Sequence, residues 1–142
     1  MEKPDFIHET FIATTQDKLW DALTKPEVAA AFHMACDVAE ALPDGGVKFI
    51  LPNGNTMLTQ RYTKIEPKTR IESTFEPDFG NGMTEVSRCV YIVTPEARSC
   101  KLRIEHYGVP SGQDGVAEGW ARWAASLKSY LETGNPIKGF GE

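Results

Sequence analysis

Apolar positions change their period along this chain, and the change divides it into two kinds of structure. Over 115–132 they follow helical steps. Val116, Trp120, Trp123, Leu127 and Leu131 recur at intervals of four, three, four and four, which stacks them on one face of a 3.6-residue repeat. Ser111 or Asp114 can cap the start, Glu118 stands four residues before Arg122, and Gly134 followed by Asn135-Pro136 supplies a left-handed stop and a breaker. The spacing predicts one long helix, about 27 Å from end to end at 1.5 Å per residue, enough to lie across a small domain.

Between Cys36 and Tyr107 the apolar and β-branched residues run in short stretches instead. They are broken at Asp44-Gly45-Gly46, Asn53-Gly54, Glu66-Pro67-Lys68, Pro77 to Gly82 and Thr94-Pro95-Glu96. Strands are predicted near 36–42, 46–51, 56–65, 69–76, 84–93 and 100–107. Asn53-Gly54 is the sharpest hairpin signal, because a two-residue turn needs positive φ and these residues tolerate it. Every connection is too short for a crossover helix, so the strands should pair antiparallel as a meander. Upstream, Phe6 to Ala13 reads as a further strand whose apolar residues fall on both parities, which leaves its inward face open. Thr14 or Thr15 can cap a helix over Gln16–Leu23, with Leu19, Trp20 and Leu23 on one face. Thr24-Lys25-Pro26-Glu27 has the spacing of a capping box with proline in the first turn, so a second short helix should run through Val28 to about Phe32. About seven strands and one large helix must bury their apolar faces against each other, which makes an α+β fold.

Composition narrows the function classes. The 142 residues are 41% hydrophobic and 25% charged, which fits a single globular domain over 1–142 that folds without staples. A net charge of -5 with no basic run argues against nucleic acid or an anionic membrane as partner. Three cysteines, Cys36, Cys89 and Cys100, are an odd number with no close pair, as in a protein of a reducing compartment. Met1-Glu2-Lys3-Pro4-Asp5 begins no long apolar run, so neither a signal peptide nor a membrane span is expected, and the cytoplasm is the expected location.

Several stretches together resemble a known family. They are Phe11-Ile-Ala-Thr-Thr-Gln-Asp-Lys-Leu-Trp-Asp-Ala-Leu-Thr-Lys-Pro-Glu27, Ile65-Glu66-Pro67, Leu102-Arg-Ile-Glu-His106, Gly119-Trp120 and Ser126-Leu-Lys-Ser-Tyr-Leu-Glu-Thr-Gly134. From about Phe6 to Pro136 the chain resembles the START-like superfamily called SRPBCC, and within it the homologues of the activator of the heat shock protein 90 ATPase. The resemblance implies a helix-grip fold: a strand, two short helices, six strands and the long helix, with an elongated cavity between sheet and helix. It does not imply one function, since such domains bind hydrophobic molecules, modify polyketides or contact a chaperone.

The candidate chemistry is sparse. His33-Met34-Ala35-Cys36 has a ligand-like spacing, but zinc needs three or four converging ligands and no second pair lies near, so no metal or other cofactor is expected. The cysteines read as buried and inert. Gly45-Gly46 and Gly80-Asn81-Gly82 lack the strand-to-helix context of a phosphate loop and read as turns. His106 shares a strand parity with Leu102 and Ile104, which leaves two readings, a satisfied core histidine or a polar anchor in the cavity. Arg61 also has two. If Met57 and Ile65 face inward, so does Arg61, which then requires a carboxylate or an anionic ligand; if Leu58 and Tyr62 face inward, Arg61 stands in water.

Phe32, Phe49, Met57, Phe75 and Tyr91, with Trp120 and Trp123 on the long helix, are candidates to line the cavity, and ordinary core accounts for such residues too. Trp120 stands apart, because Gly115 and Gly119 beside it leave room. A tryptophan on a pocket wall has fewer protein neighbours to lose, so its replacement by alanine should cost less than the same change at Trp123. The expected function is non-catalytic binding of a small hydrophobic or amphipathic molecule. The alternatives are an interaction module resembling the chaperone activators, and an enzyme of polyketide cyclase or hydrolase type, for which no acid-base pair can be named.

Overall fold

The computed structural model describes residues 2–78, 85–111, 113 and 115–141. Among these, the elements follow in the order β1 (Phe6–Ile12), α1 (Gln16–Thr24), α2 (Pro26–Phe32), β2 (Val38–Ala41), β3 (Gly46–Ile50), β4 (Thr56–Glu66), β5 (Arg70–Pro77), β6 (Ser87–Pro95), β7 (Cys100–Tyr107) and α3 (Val116–Thr133). All strands join one sheet in the order β1-β7-β6-β5-β4-β3-β2, each pair antiparallel. β2 to β7 form the expected meander, and β1 closes against β7 with Phe6 opposite His106 and Ile12 opposite Cys100. This is the α+β helix-grip architecture. No helix among the described residues is long and apolar enough to cross a membrane. The turn expected at Pro77 to Gly82 and the strand start at 84 fall largely outside the described residues.

The apolar stripe of α3 buries Trp120, Trp123 and Leu127 into a core shared with Tyr91, Leu102 and Ile104 of the sheet and Leu19 and Phe32 of the short helices. The helix ends at Gly134, whose φ of 85° is the left-handed stop, and its N–H donates to the Tyr130 carbonyl at 2.8 Å. Glu118 and Arg122 pair at 3.2 Å on its exposed side. At its start α3 has no side-chain cap. Gly115 is the cap residue, Ser111 does not serve, and Asp114 lies outside the described residues.

The threonines before α1 behave as expected, with Thr15 Oγ1 accepting from the Lys18 N–H at 3.2 Å. The capping box does not form. Lys25 ends α1 and also begins α2, so Thr24 is still helical, and its hydroxyl donates back to the Trp20 carbonyl at 2.7 Å rather than forward to α2. The two-residue turn at Asn53-Gly54 is also not observed. The chain takes 51–55 to turn, with positive φ only at Gly54, and Asn53 Oδ1 accepts the Asn55 N–H at 2.9 Å as an Asx turn.

Two parities left open by the sequence are decided. β1 turns Phe6, His8, Thr10 and Ile12 inward and leaves Ile7, Glu9 and Phe11 outside. In β4, Leu58 and Gln60 are buried while Arg61 is exposed. Ile65 is exposed as well, near the end of β4, although the register shift between Tyr62 and Lys64 brings it opposite the buried Ile71. A β-carbon on Gly46 would lie 2.2 Å from the Gln60 carbonyl oxygen, so the first position of β3 has to be glycine for β4 to come this close.

Candidate functional site

A cavity of about 330 Å3 lies between the sheet and the first turns of α3. Phe49 of β3, Met57, Leu58 and Gln60 of β4, Phe75 of β5 and Tyr91 of β6 form its floor. Val116, Gly119, Trp120 and Trp123 form the helical wall. Gly115 and Phe140 also line it and are exposed, marking the end that opens to solvent. The room comes from the sequence of α3 itself. At Gly119 an added β-carbon would meet only the Met34 methyl at 3.9 Å, and at Gly115 it would meet nothing within 4 Å.

The aromatic wall is rigid. Trp120 stands edge-on to Trp123 with centroids 5.5 Å apart and edge-on to Tyr91 at 5.8 Å, while Tyr91 stacks on Trp123 at 5.5 Å with an interplanar angle of 7°. Phase and chemistry then fix the residues behind this wall. Trp120 Nε1 donates to His106 Nδ1 at 3.0 Å, so the neutral imidazole carries its proton on Nε2, which faces Ser87 Oγ at 2.7 Å. Burial pushes the His106 pKa down to about 4, partly opposed by the charge of Asp5.

His33 is the second buried histidine, and it does line the cavity. Its Nδ1 accepts the N–H groups of Ala35 and Cys36 at 3.1 and 3.0 Å, and its ring lies 4.5 Å from that of Phe49. Burial, reinforced by the charge of Lys138, pushes its pKa down to about 4. With one nitrogen given to the backbone and Cys36 Sγ turned to Met57 Sδ at 3.6 Å, this stretch forms a turn rather than half of a metal site. Among the described residues no three His, Cys, Asp or Glu side chains gather as a metal would require. Cys36, Cys89 and Cys100 are free and buried, and burial pushes the Cys36 and Cys89 thiols up to about 11, away from the reactive thiolate.

Of the residues singled out in the sequence, Phe49, Met57, Phe75, Tyr91, Trp120 and Trp123 meet at the cavity. Three do not. Arg61 lies outside, paired through Nε with Glu76 Oε2 at 3.0 Å, because its neighbours Leu58 and Gln60 take the inward parity. Phe32 is fully buried beneath the wall, edge-on to Trp123 at 5.5 Å, because α2 packs under α3 rather than beside the opening. His106 is fully buried behind Trp120 and Phe75 and reaches the cavity only through them.

Among the described residues seven further side chains line the cavity that the sequence did not single out for it: His33, Met34, Leu58, Gln60, Gln113, Val116 and Phe140. Strand alternation with Leu58 could have found Gln60. Phe140 had no signal, since it comes from a segment beyond the helix stop that carries no periodicity. That segment is strapped down: Lys138 Nζ donates to the carbonyls of Ala30 and Cys36 at 2.9 and 3.1 Å and to Asp37 Oδ1 at 2.9 Å. The N–H groups of Gly139 and Phe140 donate to the Met34 carbonyl at 3.0 and 3.1 Å. Buried Ser126 holds the same strap from α3, its Oγ accepting the Ile137 N–H at 2.9 Å while donating to the Phe32 carbonyl.

Comparison with known proteins gives a consistent picture. The family described as Activator of Hsp90 ATPase homolog 1-like protein matches residues 13–132. CalU16 from Micromonospora echinospora superposes with a TM-score of 0.71 at 18% identity, covering 92% of this chain and 74% of that one. MLL2253 from Mesorhizobium loti gives 0.72 at 22% identity, covering 89% of this chain and 95% of that one. The Aha1 dimer from Colwellia psychrerythraea gives 0.71 at 16% identity, with coverage of 91% and 96%. At these identities the likeness is one of fold. No curated protein matches the sequence.

Proposed function

This chain belongs to the family of Activator of Hsp90 ATPase homolog 1-like proteins, and from that membership and the cavity we propose that it holds one small hydrophobic or amphipathic molecule between sheet and α3 without transforming it. The observation that carries this reading is a cavity of about 330 Å3 walled by aromatic rings, within the range of small-molecule sites and about eleven times the volume of a water molecule. An interaction module working through its outer surface has no need of such a space. The non-catalytic part rests on the polar residues. Among the described residues only His33, Gln60 and Gln113 bring ionisable or amide side chains to the lining apart from the Tyr91 phenol, and burial raises that phenol well above its usual pKa. The Ser87 and His106 pair is buried behind the wall with both imidazole nitrogens engaged.

A native mass spectrum of protein purified from its own cells tests this, together with titration by N-phenyl-1-naphthylamine, an uncharged fluorescent probe. A retained small-molecule mass and saturable binding of one probe per chain are expected. Absence of both overturns the reading.

A second reading takes its support from the family description and from Ile7 and Phe11, 44% and 53% exposed on the outer side of β1. In it the chain contacts the heat shock protein 90 chaperone of its own organism. A rise in that chaperone's ATPase rate on titration with the protein would establish it; no change is the expected result.

A further inference from the structure

Gln113 stands in the connection from β7 to α3 with its side chain in the cavity wall, 3% exposed, and neither its amide oxygen nor its amide nitrogen has a hydrogen-bond partner. Its backbone is well held. The N–H donates to the Pro110 carbonyl at 3.2 Å, and the carbonyl accepts the Val116 N–H at 3.2 Å in the turn that leads into α3. The fold therefore fixes where Gln113 sits while leaving its carboxamide unanswered. Buried polar side chains are as a rule paired, and two adjacent orphans on the wall of a roomy cavity point to a ligand's own acceptor and donor.

The other polar side chains of the lining are already engaged. Gln60 Nε2 donates to Cys89 Sγ at 3.3 Å and Tyr91 Oη at 3.2 Å, and His33 Nδ1 accepts from two backbone N–H groups. Among the described residues no Asp, Glu, Lys or Arg lines the cavity. His33 is a poor source of positive charge, because a proton on Nδ1 would face the two N–H donors of Ala35 and Cys36. An ionised ligand head would thus be buried without a counter-charge.

Granted that the cavity binds a ligand, we propose that its occupant is an uncharged, largely apolar molecule ending in a carboxamide or lactam, read by the Gln113 carboxamide through a reciprocal pair of hydrogen bonds. The ligand carbonyl accepts from Gln113 Nε2, and the ligand N–H donates to Oε1. A carboxylate offers no donor to Oε1, and an ammonium offers no acceptor to Nε2.

The test uses three chains of one length, octanamide, octanoate and octylammonium, as competitors for bound N-phenyl-1-naphthylamine at pH 7.5. Octanamide should displace the probe with at least tenfold higher affinity than either ion. In Gln113→Met, which keeps length and shape, octanamide should bind at least tenfold more weakly than to the unchanged protein, while the probe itself still binds. If the probe binds and octanoate displaces it as well as octanamide does, or if Gln113→Met leaves the affinity for octanamide unchanged, the inference is wrong and the ligand-binding reading stands. If neither the probe nor any of the three chains binds, both fall together.

Discussion

Trp120 Nε1 donates to His106 Nδ1 across 3.0 Å, and that bond makes the cavity wall and the sheet behind it a single unit. Sequence reasoning expects Trp120→Ala to be cheaper than Trp123→Ala. The structure argues that the two cost alike. The Trp120 ring is 5% exposed, touches Phe75, Tyr91, His106 and Trp123, and satisfies a buried acceptor. Trp120→Ala should therefore cost about 3–5 kcal/mol, as much as Trp123→Ala, and should also weaken probe binding. Trp120→Phe isolates the hydrogen bond by leaving Nδ1 unanswered, at a cost of about 1–3 kcal/mol. Urea denaturation of the three variants measures both effects.

Two histidines buried as neutral rings give the protein an acid-sensitive stability. The folded pKa values of His33 and His106 are pushed down to about 4 from 6.5, chiefly by burial. Above 6.5 neither the folded nor the unfolded state takes the proton. As pH falls from 6.5 toward 4 the unfolded chain binds protons that the folded one refuses, so stability declines and then levels off. Each ring contributes about 1.4 kcal/mol per pH unit, roughly 3 kcal/mol over the whole window. Carboxylates with lowered pKa, such as Glu9 and Glu132, lose their contributions mainly below the ordinary carboxylate value of 4.5, which leaves pH 5 to 6.5 to the histidines. Unfolding free energy measured across that interval should slope accordingly, and His106→Gln should halve the slope.

Gly119 is where a side chain can be added to the cavity without touching the fold. Gly119→Leu starts from a β-carbon that meets only the Met34 methyl, at 3.9 Å, and it gains most of the helix propensity of about 0.8–1 kcal/mol that separates glycine from alanine. The melting temperature should hold or rise while binding of N-phenyl-1-naphthylamine is lost. Retained binding would show that the probe sits elsewhere.

The strap carrying Phe140 depends on Lys138. Replacing Lys138 by Met removes three hydrogen bonds to the α2 end of the domain, and because the ammonium is partly exposed the stability cost should be small, about 1 kcal/mol. The effect on the cavity should be larger, with faster dissociation of the bound probe in stopped-flow displacement. Arg61→Ala serves as the control. Its ion pair with Glu76 is exposed and away from the lining, so both stability and probe binding should change little.

The fold was legible because its signals are local. The stripe from Val116 to Leu131, the left-handed stop at Gly134 and the breaks between strands each act over a few residues, and the resulting elements have few ways to bury their apolar faces. The cavity residues were legible only where alternation held. Phe75 and Tyr91 follow it. Arg61 follows it too, but the β4 sequence carries apolar residues on both parities and does not say which of them faces inward, and the register shift near Tyr62 leaves no mark in it. Gln113 and Phe140 come from irregular backbone, where position is set by turn bonds to Pro110 and Val116 in the one case and by a tertiary bond to Met34 in the other, and not by period.

β1 has a consequence for how the chain comes to be folded. Its only strand partner is β7, and it is further tied to α3 by the Ala13 N–H donating to Glu132 Oε2 at 2.8 Å and by Lys128 Nζ reaching the Phe11 carbonyl. Of the described strands, β1 is made first and is nearly the last to find its place. At about 5–20 residues per second, roughly 6–24 s separate its synthesis from that of Glu132. During that interval the Phe6–Ile12 segment, with Ile7 and Phe11 among its residues, waits without its sheet, so it gains from being shielded until β7 and α3 have been made.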